Sequence, residues 1–244
     1  MQIRLDSYLS EKQIVKSRNV AATMIKEGKV SVNGVVCTKP SFSVSDDDKI
    51  EITGDMPRYV GRGGLKLEKA LGFFGIGLKD KICIDIGAST GGFTDCMLQN
   101  GAGRVYAVDV GSDQLDEKLK KDSRVISMEQ TDVRNLTDEI PAVDFISIDV
   151  SFISLKLVLP VAIRFLKDGG SLVALIKPQF EAGKASLNKK GIVRDEKTRQ
   201  KVCEDIKQFA ITCGFSFEGV TVSPINGGDG NTEYLIYLTK GLDQ

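Results

Sequence analysis

Apolar and polar positions follow two different rhythms along this chain, and the change falls near residue 55. In the first stretch, residues 3–9 and 13–28 carry helical spacing. Val20, Met24 and Ile25 supply the apolar stripe of the second helix, Ser17 can cap it, and Gly28 ends it. Lys29-Val-Ser-Val32 and Val35-Val36 read as strands around an Asn33-Gly34 turn, a strong hairpin signal between β-branched residues. Asp48–Ile52 adds a further strand, which closes a small α+β domain over residues 1–55. Residues 56–62, following Thr53-Gly-Asp, have the composition of a linker.

From residue 63 to 244 the pattern alternates strand and helix. Strand-like runs fall at Ile82–Ile86, Arg104–Val108, Val125–Met128, Asp144–Asp149, Ser171–Ile176, Phe215–Val222 and Glu233–Leu238. Helical stretches fall at about 65–74, 92–100, 113–120, 154–167 and 195–213. This alternation predicts an α/β fold built on a doubly wound, mostly parallel sheet of seven strands. Only the short Pro224–Thr232 loop separates the last two strands, so they can pair as an antiparallel hairpin.

Composition narrows the chemistry. There is no histidine, which excludes Ser-His-Asp and Cys-His catalysis and removes the commonest zinc ligand; no metal site is expected. The five cysteines (37, 83, 96, 203, 213) form no C-x-x-C pair, as fits reduced thiols. No apolar run approaches the ~18–20 residues that span a membrane, and the N-terminus lacks a signal-peptide layout. A cytoplasmic protein is expected, either a monomer or a weak dimer, with no membrane partner.

Net charge is zero, but the average conceals a pattern. Residues 1–40 hold seven Lys/Arg against three Asp/Glu, and residues 177–201 hold eight against three. Local basic faces on a neutral chain suit a selective RNA binder.

Ile82-Cys-Ile-Asp85-Ile-Gly87-Ala88-Ser89-Thr90-Gly91-Gly92 is an apolar strand, a glycine-rich turn and a helix start. Glycines allow close backbone approach, and a helix N-terminus attracts anions. The spacing departs from G-x-G-x-x-G because Ser89 stands at the second glycine. Acidic residues then follow at successive strand ends: Asp109 before Val110, Asp132 before Val133, and Asp149. A carboxylate in the position of Asp109 can accept ribose hydroxyls.

That succession over residues 82–240 resembles the Rossmann-like class I methyltransferase fold. The resemblance implies an S-adenosylmethionine pocket lined by Asp85, Gly87, Ala88, Ser89, Thr90, Gly91, Asp109, Val110, Asp132 and Val133. Over residues 3–52, Arg4-Leu-Asp-x-x-Leu9, Ser17-Arg18, Ala22-x-x-Ile25-x-x-Gly28-x-Val30-x-Val32-Asn33-Gly34, Lys39-Pro40 and Asp48-x-Ile50 resemble the S4 RNA-binding module. That likeness places Arg4, Lys16, Arg18, Lys26 and Lys29 on an RNA face.

Lys66, Asp149, Lys177 and Glu233 stand near strand or helix ends that a parallel sheet brings to one edge. Their Lys-Asp-Lys-Glu order resembles the catalytic tetrad of FtsJ-type ribose 2′-O-methyltransferases. With the N-terminal module and Tyr59-Val-x-Arg62-Gly, the whole chain resembles the TlyA family, whose members are often labelled hemolysins and methylate 2′-hydroxyls of ribosomal RNA. That family often has Ala-His where this chain has Gly64-Leu65.

The resemblance implies ribosomal RNA or ribosomal subunits as partners and S-adenosylmethionine as methyl donor. Held near a second lysine and a sulfonium, Lys177 is expected to assist removal of the hydroxyl proton. Asp149 would orient it, while Lys66 and Glu233 fix the ribose. Arg62 and a basic loop with Lys184, Lys189, Lys190 and Arg194 are expected to clamp the RNA backbone. Two alternatives stay open: a non-catalytic RNA or ribosome binder with the same fold, and a membrane-active hemolysin. The missing apolar span and the neutral charge disfavour the second.

Overall fold

The computed structural model describes residues 2–136 and 140–241; the last three residues of the expected 63–244 domain lie outside them. The N-terminal domain runs β1 (Ile3–Arg4), α1 (Leu5–Glu11), α2 (Arg18–Lys26), β2 (Val30–Val32), β3 (Val35–Val36), β4 (Ser43–Val44) and β5 (Ile50–Ile52). Leu5, Leu9, Met24, Ile25 and Val30 are fully buried and form its core. Asn33 and Gly34 both take positive φ (52° and 81°), as the tight hairpin between β2 and β3 requires. The Asn33 amide then bonds Asp48 at 2.7 Å and accepts from the Lys49 N–H at 2.9 Å, which fixes β5 beside β2.

Ser17 caps α2 as expected, accepting from the Val20 N–H, but the helix starts at Arg18 rather than residue 13. Gln13 breaks the pattern at φ 56°, so residues 12–17 turn instead. The expected helix over 3–9 is shifted as well, because Ile3–Arg4 pairs with Ser43–Val44 as a two-stranded ribbon.

The larger domain continues with α3 (Gly63–Phe74), β6 (Ile82–Ile86), α4 (Gly92–Gln99), β7 (Arg104–Val108), α5 (Glu117–Lys120), β8 (Val125–Met128), β9 (Val143–Ile148), α6 (Leu155–Phe165), β10 (Leu166–Ile176), α7 (Pro178–Glu181), α8 (Glu196–Thr212), β11 (Phe215–Val222) and β12 (Tyr234–Lys240). Its seven-stranded sheet has the order β11-β12-β10-β9-β6-β7-β8. Neighbours from β10 to β8 are parallel, and β12 is antiparallel to both β10 and β11. The expected mostly parallel sheet and terminal hairpin are therefore present, with β12 lying inside β11.

Strand order reverses between β6 and β9, and ligands bind outside the carboxyl ends at such a switch point. β6 and β9 are nearly continuous runs of buried residues because both faces are covered. Residues of α6 and α8 pack with one face, and those of α3 and α4 with the other. Tyr59 and Val60, in the expected linker, are buried in the second of these cores. Three further expectations need adjusting. The stretch at 113–120 is helical only over Glu117–Lys120, β10 begins at Leu166, and α7 was not foreseen. Among the described residues, no helix is long and apolar enough to cross a membrane.

Candidate active site

Two adjoining cavities open at the switch point. The larger, of about 830 Å³, is lined by Asp109, Val110, Asp132 and Val133 on one side and by Val150, Ile153, Leu157 and Val158 on the other. The smaller, of about 210 Å³, is lined by Arg62, Gly63, Ala88, Thr90, Phe93 and Lys177 among others. Gly87, Ser89, Asp149 and Ser151 border both, so they mark the junction.

The turn after β6 is built by contacts within the protein. Gly87 holds φ 83°, and a Cβ there would lie 2.3 Å from the Asp149 carbonyl oxygen. The Asp149 N–H donates to the Ile86 carbonyl at 2.9 Å, so β9 runs flush against the turn. Ser89, at the second glycine position, itself takes φ 46°. Its N–H donates to Asp109 Oδ2 at 2.7 Å, and the Gly111 N–H donates to Asp109 Oδ1 at 2.7 Å. Two backbone donors thus fix that carboxylate at the cavity wall while lone pairs stay free for a ligand. Asp132 lines the same cavity and caps a single 3₁₀ turn (Val133–Asn135), with the Arg134 side chain clasping both its oxygens.

Two expected pocket residues are not brought to either cavity. The Asp85 side chain points into the fold, where it is fully buried and accepts from Thr94 Oγ1 at 2.7 Å and Ser147 Oγ at 2.9 Å. Burial pushes its carboxyl up to about 6, opposed by those two hydrogen bonds and reinforced by the Asp149 charge. Gly91, at φ 93°, admits helix α5: a Cβ there would sit 2.2 Å from Leu119 Cδ1. The absent side chain at this position is thus required by the packing of α5.

The four expected catalytic residues resolve into two ion pairs. Lys66 Nζ lies 2.6 Å from Glu233 Oε2, with side chains 10% and 2% exposed. Lys177 Nζ lies 2.6 Å from Asp149 Oδ1. The approach angle of this second contact is outside hydrogen-bond geometry, so buried Oδ1 has no hydrogen-bond partner, and Lys177 donates instead to Ser151 Oγ at 2.9 Å. The sheet explains the grouping. Ile176 is paired with Tyr234, so Lys177 and Glu233 stand one step past the ends of β10 and β12. Asp149 follows Ile148, the last residue of β9. Lys66 enters from α3, whose first residue, Gly63, would place a Cβ 3.9 Å from Asp149 Oδ2. Lys66 and Glu233 are not among the residues lining the small cavity; Asp149 and Lys177 are.

Sequence reasoning did not single out Ser151 as a site residue. The quartet Asp149-Val-Ser-Phe152 carried the signal, since the hydroxyl lies two residues beyond a strand-end carboxylate. Phe152 borders the larger cavity, is 91% exposed at φ 63°, and packs its ring 5.0 Å from Phe180. Glu181 accepts from Ser154 Oγ at 2.6 Å and the Leu155 N–H at 2.8 Å, which locks α7 to the start of α6. Gly64 has a local reason as well. A Cβ there would lie 2.3 Å from the Tyr59 ring, so a side chain at this position would require the buried tyrosine to shift.

Of the residues expected on an RNA face, Arg4 and Arg18 meet at one carboxylate, and Arg18 and Lys16 line one groove. Arg4 and Arg18 both bond the buried Asp6 carboxylate, at 2.7 and 3.2 Å, and hold its carboxyl below the usual range against the opposing effect of burial. Lys29 pairs with Glu27 at 2.9 Å, Lys26 is exposed, and Lys16 lines a groove between the two domains. Lys184, Lys189, Lys190 and Arg194 are exposed, and none is in a salt bridge among the described residues. Arg62 lines the small cavity and reaches the Asn226 carbonyl at 3.5 Å.

Comparison with known proteins identifies the families of both domains. The FtsJ-like methyltransferase family matches residues 59–240, and the S4 domain matches residues 3–50. Hemolysin A of Brachyspira hyodysenteriae is 45% identical over 97% of this chain and 99% of its own. The 16S/23S rRNA (cytidine-2′-O)-methyltransferase TlyA of Mycobacterium tuberculosis is 39% identical over 99% of this chain and 91% of its own. The solved structure of a candidate hemolysin from Streptococcus thermophilus superposes with a TM-score of 0.78 at 47% identity, covering 98% of this chain and 89% of that one. The chain belongs to the FtsJ-like methyltransferase family and carries an S4 domain ahead of the methyltransferase fold.

Proposed function

We propose that this protein transfers a methyl group from S-adenosylmethionine to a ribose 2′-hydroxyl of ribosomal RNA. The observation that carries the reading is the Lys177–Asp149 pair beside the junction of the two cavities, with the buried Lys66–Glu233 pair at the same edge of the sheet. The name of the mycobacterial relative, with its cytidine 2′-O acceptor, supports the same chemistry.

The larger cavity fits the methyl donor. Its size is within the range of nucleoside sites, one wall is apolar, and the Asp109 carboxylate is fixed by two backbone N–H groups. Asp109 would hold the ribose hydroxyls; Val110, Val133 and Leu157 would flank the base. The cofactor supplies an electrophilic methyl group with its own leaving group. What remains for the chain is alignment and handling of one proton.

A 2′-hydroxyl entering the small cavity meets Lys177 and the Asp149 carboxylate, both of which line it. Lys177 orients the oxygen, and the hydroxyl proton passes to the Lys177–Asp149 pair as the new O–C bond forms. Ser151 holds the lysine from the other side. Lys66 and Glu233 back the site from within and fix the approach of α3 to β12. The S4 domain and the basic residues Arg62, Lys184, Lys189, Lys190 and Arg194 would grip the RNA backbone.

The direct test supplies purified protein, labelled S-adenosylmethionine and ribosomal subunits. Label is expected in the ribose of RNA, with transfer by Lys177→Ala slower by about 100-fold or more although that variant still binds RNA. Equal transfer by Lys177→Ala would overturn the assignment.

A further inference from the structure

The exposed basic residues 184–194 form a segment with few ties to the domain beneath. Gly183 and Gly191 bracket most of it at φ 76° and 72°, each with open space around it. Asn188 closes a local turn, accepting from the N–H groups of Lys190 at 2.8 Å and Ile192 at 3.0 Å. Such a turn holds its own shape but does not fix its place on the protein.

Its place is fixed from outside by Asn231 and Arg199. Asn231 is 1% exposed. Its Oδ1 accepts from the Val193 N–H at 3.0 Å, and its Nδ2 donates to the Gly191 carbonyl at 3.1 Å. Arg199 donates to the carbonyls of Val193 at 3.1 Å and Arg194 at 2.8 Å. Asn231 also reaches the other way. Its carbonyl accepts from the Gly227 N–H at 2.9 Å, and a Cβ at Gly227 would lie 2.5 Å from Glu233 Oε1. The turn that Asn231 closes is therefore the surface against which the Glu233 carboxylate rests. Glu233 in turn holds Lys66.

We infer that Asn231 is a positioning residue that couples the basic segment to Glu233, so that an RNA backbone docking on Lys184–Arg194 bears on the Glu233–Lys66 pair. The inference rests on the RNA-methylating reading above. The side chain of Asn231 holds residues 191–193 with both of its polar atoms while its backbone carbonyl closes the turn beneath Glu233, so one residue joins the two loops, and neither loop can shift without leaving a polar group unsatisfied. Asn231 touches no reacting atom; its effect is exerted through Glu233.

The test compares Asn231→Ala and Arg199→Ala with wild type in the full-length protein. Each is read by amide hydrogen exchange over 188–194, by S-adenosylmethionine affinity, and by kcat and KM with ribosomal subunits. Both variants are expected to speed exchange of the segment and to raise KM for RNA by about tenfold. Asn231→Ala should also lower kcat, with cofactor affinity unchanged. If Asn231→Ala does not fold, Arg199→Ala with Gly227→Ala decides: the first should raise KM, the second lower kcat. Unchanged exchange and KM, or a kcat untouched when Asn231 or Gly227 is altered, would overturn the coupling while leaving the wild-type activity as it stands. A wild type that methylates no ribosomal RNA would overturn the functional reading and this inference together.

Discussion

Lys66 and Glu233 lie 167 positions apart in the chain and meet at 2.6 Å, with side chains 10% and 2% exposed. A pair this buried is costly to break from one side. Lys66→Met or Glu233→Leu leaves an uncompensated charge and should destabilise the fold by about 3–5 kcal/mol. Replacing both together should restore much of that stability, since an apolar pair avoids the desolvation cost, but activity should stay lost. Denaturant unfolding and a methyl-transfer assay on the three variants separate the two effects. A double variant no more stable than either single one contradicts the reading.

Lys177 and Ser151 predict graded losses. Lys177→Ala removes the group that meets the acceptor hydroxyl, so kcat should fall by about 100- to 10,000-fold with little change in RNA binding. Ser151→Ala removes the 2.9 Å hydrogen bond that steadies the lysine. It should cost about tenfold, the equivalent of one such bond. Steady-state kinetics on both check the order; a larger loss at Ser151 than at Lys177 would reassign the roles.

Gly87 is required by the protein before any ligand arrives. Alanine there would set a Cβ 2.3 Å from the Asp149 carbonyl oxygen, at φ 83°. Gly87→Ala should destabilise by more than about 2 kcal/mol and displace Asp149 from Lys177. Thermal unfolding with the methyl-transfer assay reads both effects. Wild-type behaviour in either would show that the turn can open without harm.

The buried Asp85 predicts a pH dependence of stability. Its folded carboxyl is raised to about 6, principally by burial. The unfolded chain takes up its proton only near ~4. Between those values the folded state holds the extra proton, so this group's contribution is full below ~4 and is lost as pH rises through 6. Asp85→Asn mimics the protonated form. The stability of the variant relative to wild type should therefore grow by on the order of 3 kcal/mol from pH 4 to pH 7. A difference that does not vary with pH would mean that Asp85 ionises normally.

The large-scale architecture was legible because its signals are local and repeated. β6 and β9 read as strands from apolar runs, the Asn33-Gly34 turn from its residue types, and the sheet class from strand–helix alternation. Lys177 and Glu233 were legible for the same reason, since residues just outside apolar strands must gather at one edge. What escaped depended on distant contacts. Asp85 has the spacing of a pocket residue, but Ser147 on β9 and Thr94 on α4 capture its side chain. Gly91 resembles a ligand-approach glycine, yet it faces Leu115 and Leu119. The pairing of each lysine with a particular carboxylate depended on how β10 lies beside β9 and on the approach of α3, which brings Asp149 to Lys177 and Lys66 to Glu233. That Arg4 and Arg18, both read onto an RNA face, share one buried aspartate depended likewise on the packing of α1 on α2.

The central claim is that this chain marks a ribose of ribosomal RNA. Mapping 2′-O-methylation across ribosomal RNA from cells lacking the gene, and from the same cells carrying the wild type or Lys177→Ala, tests it most directly. The account predicts at least one methylated ribose that is present with the wild type and absent from both the deletion and the Lys177→Ala strain. Identical maps from all three strains would contradict it.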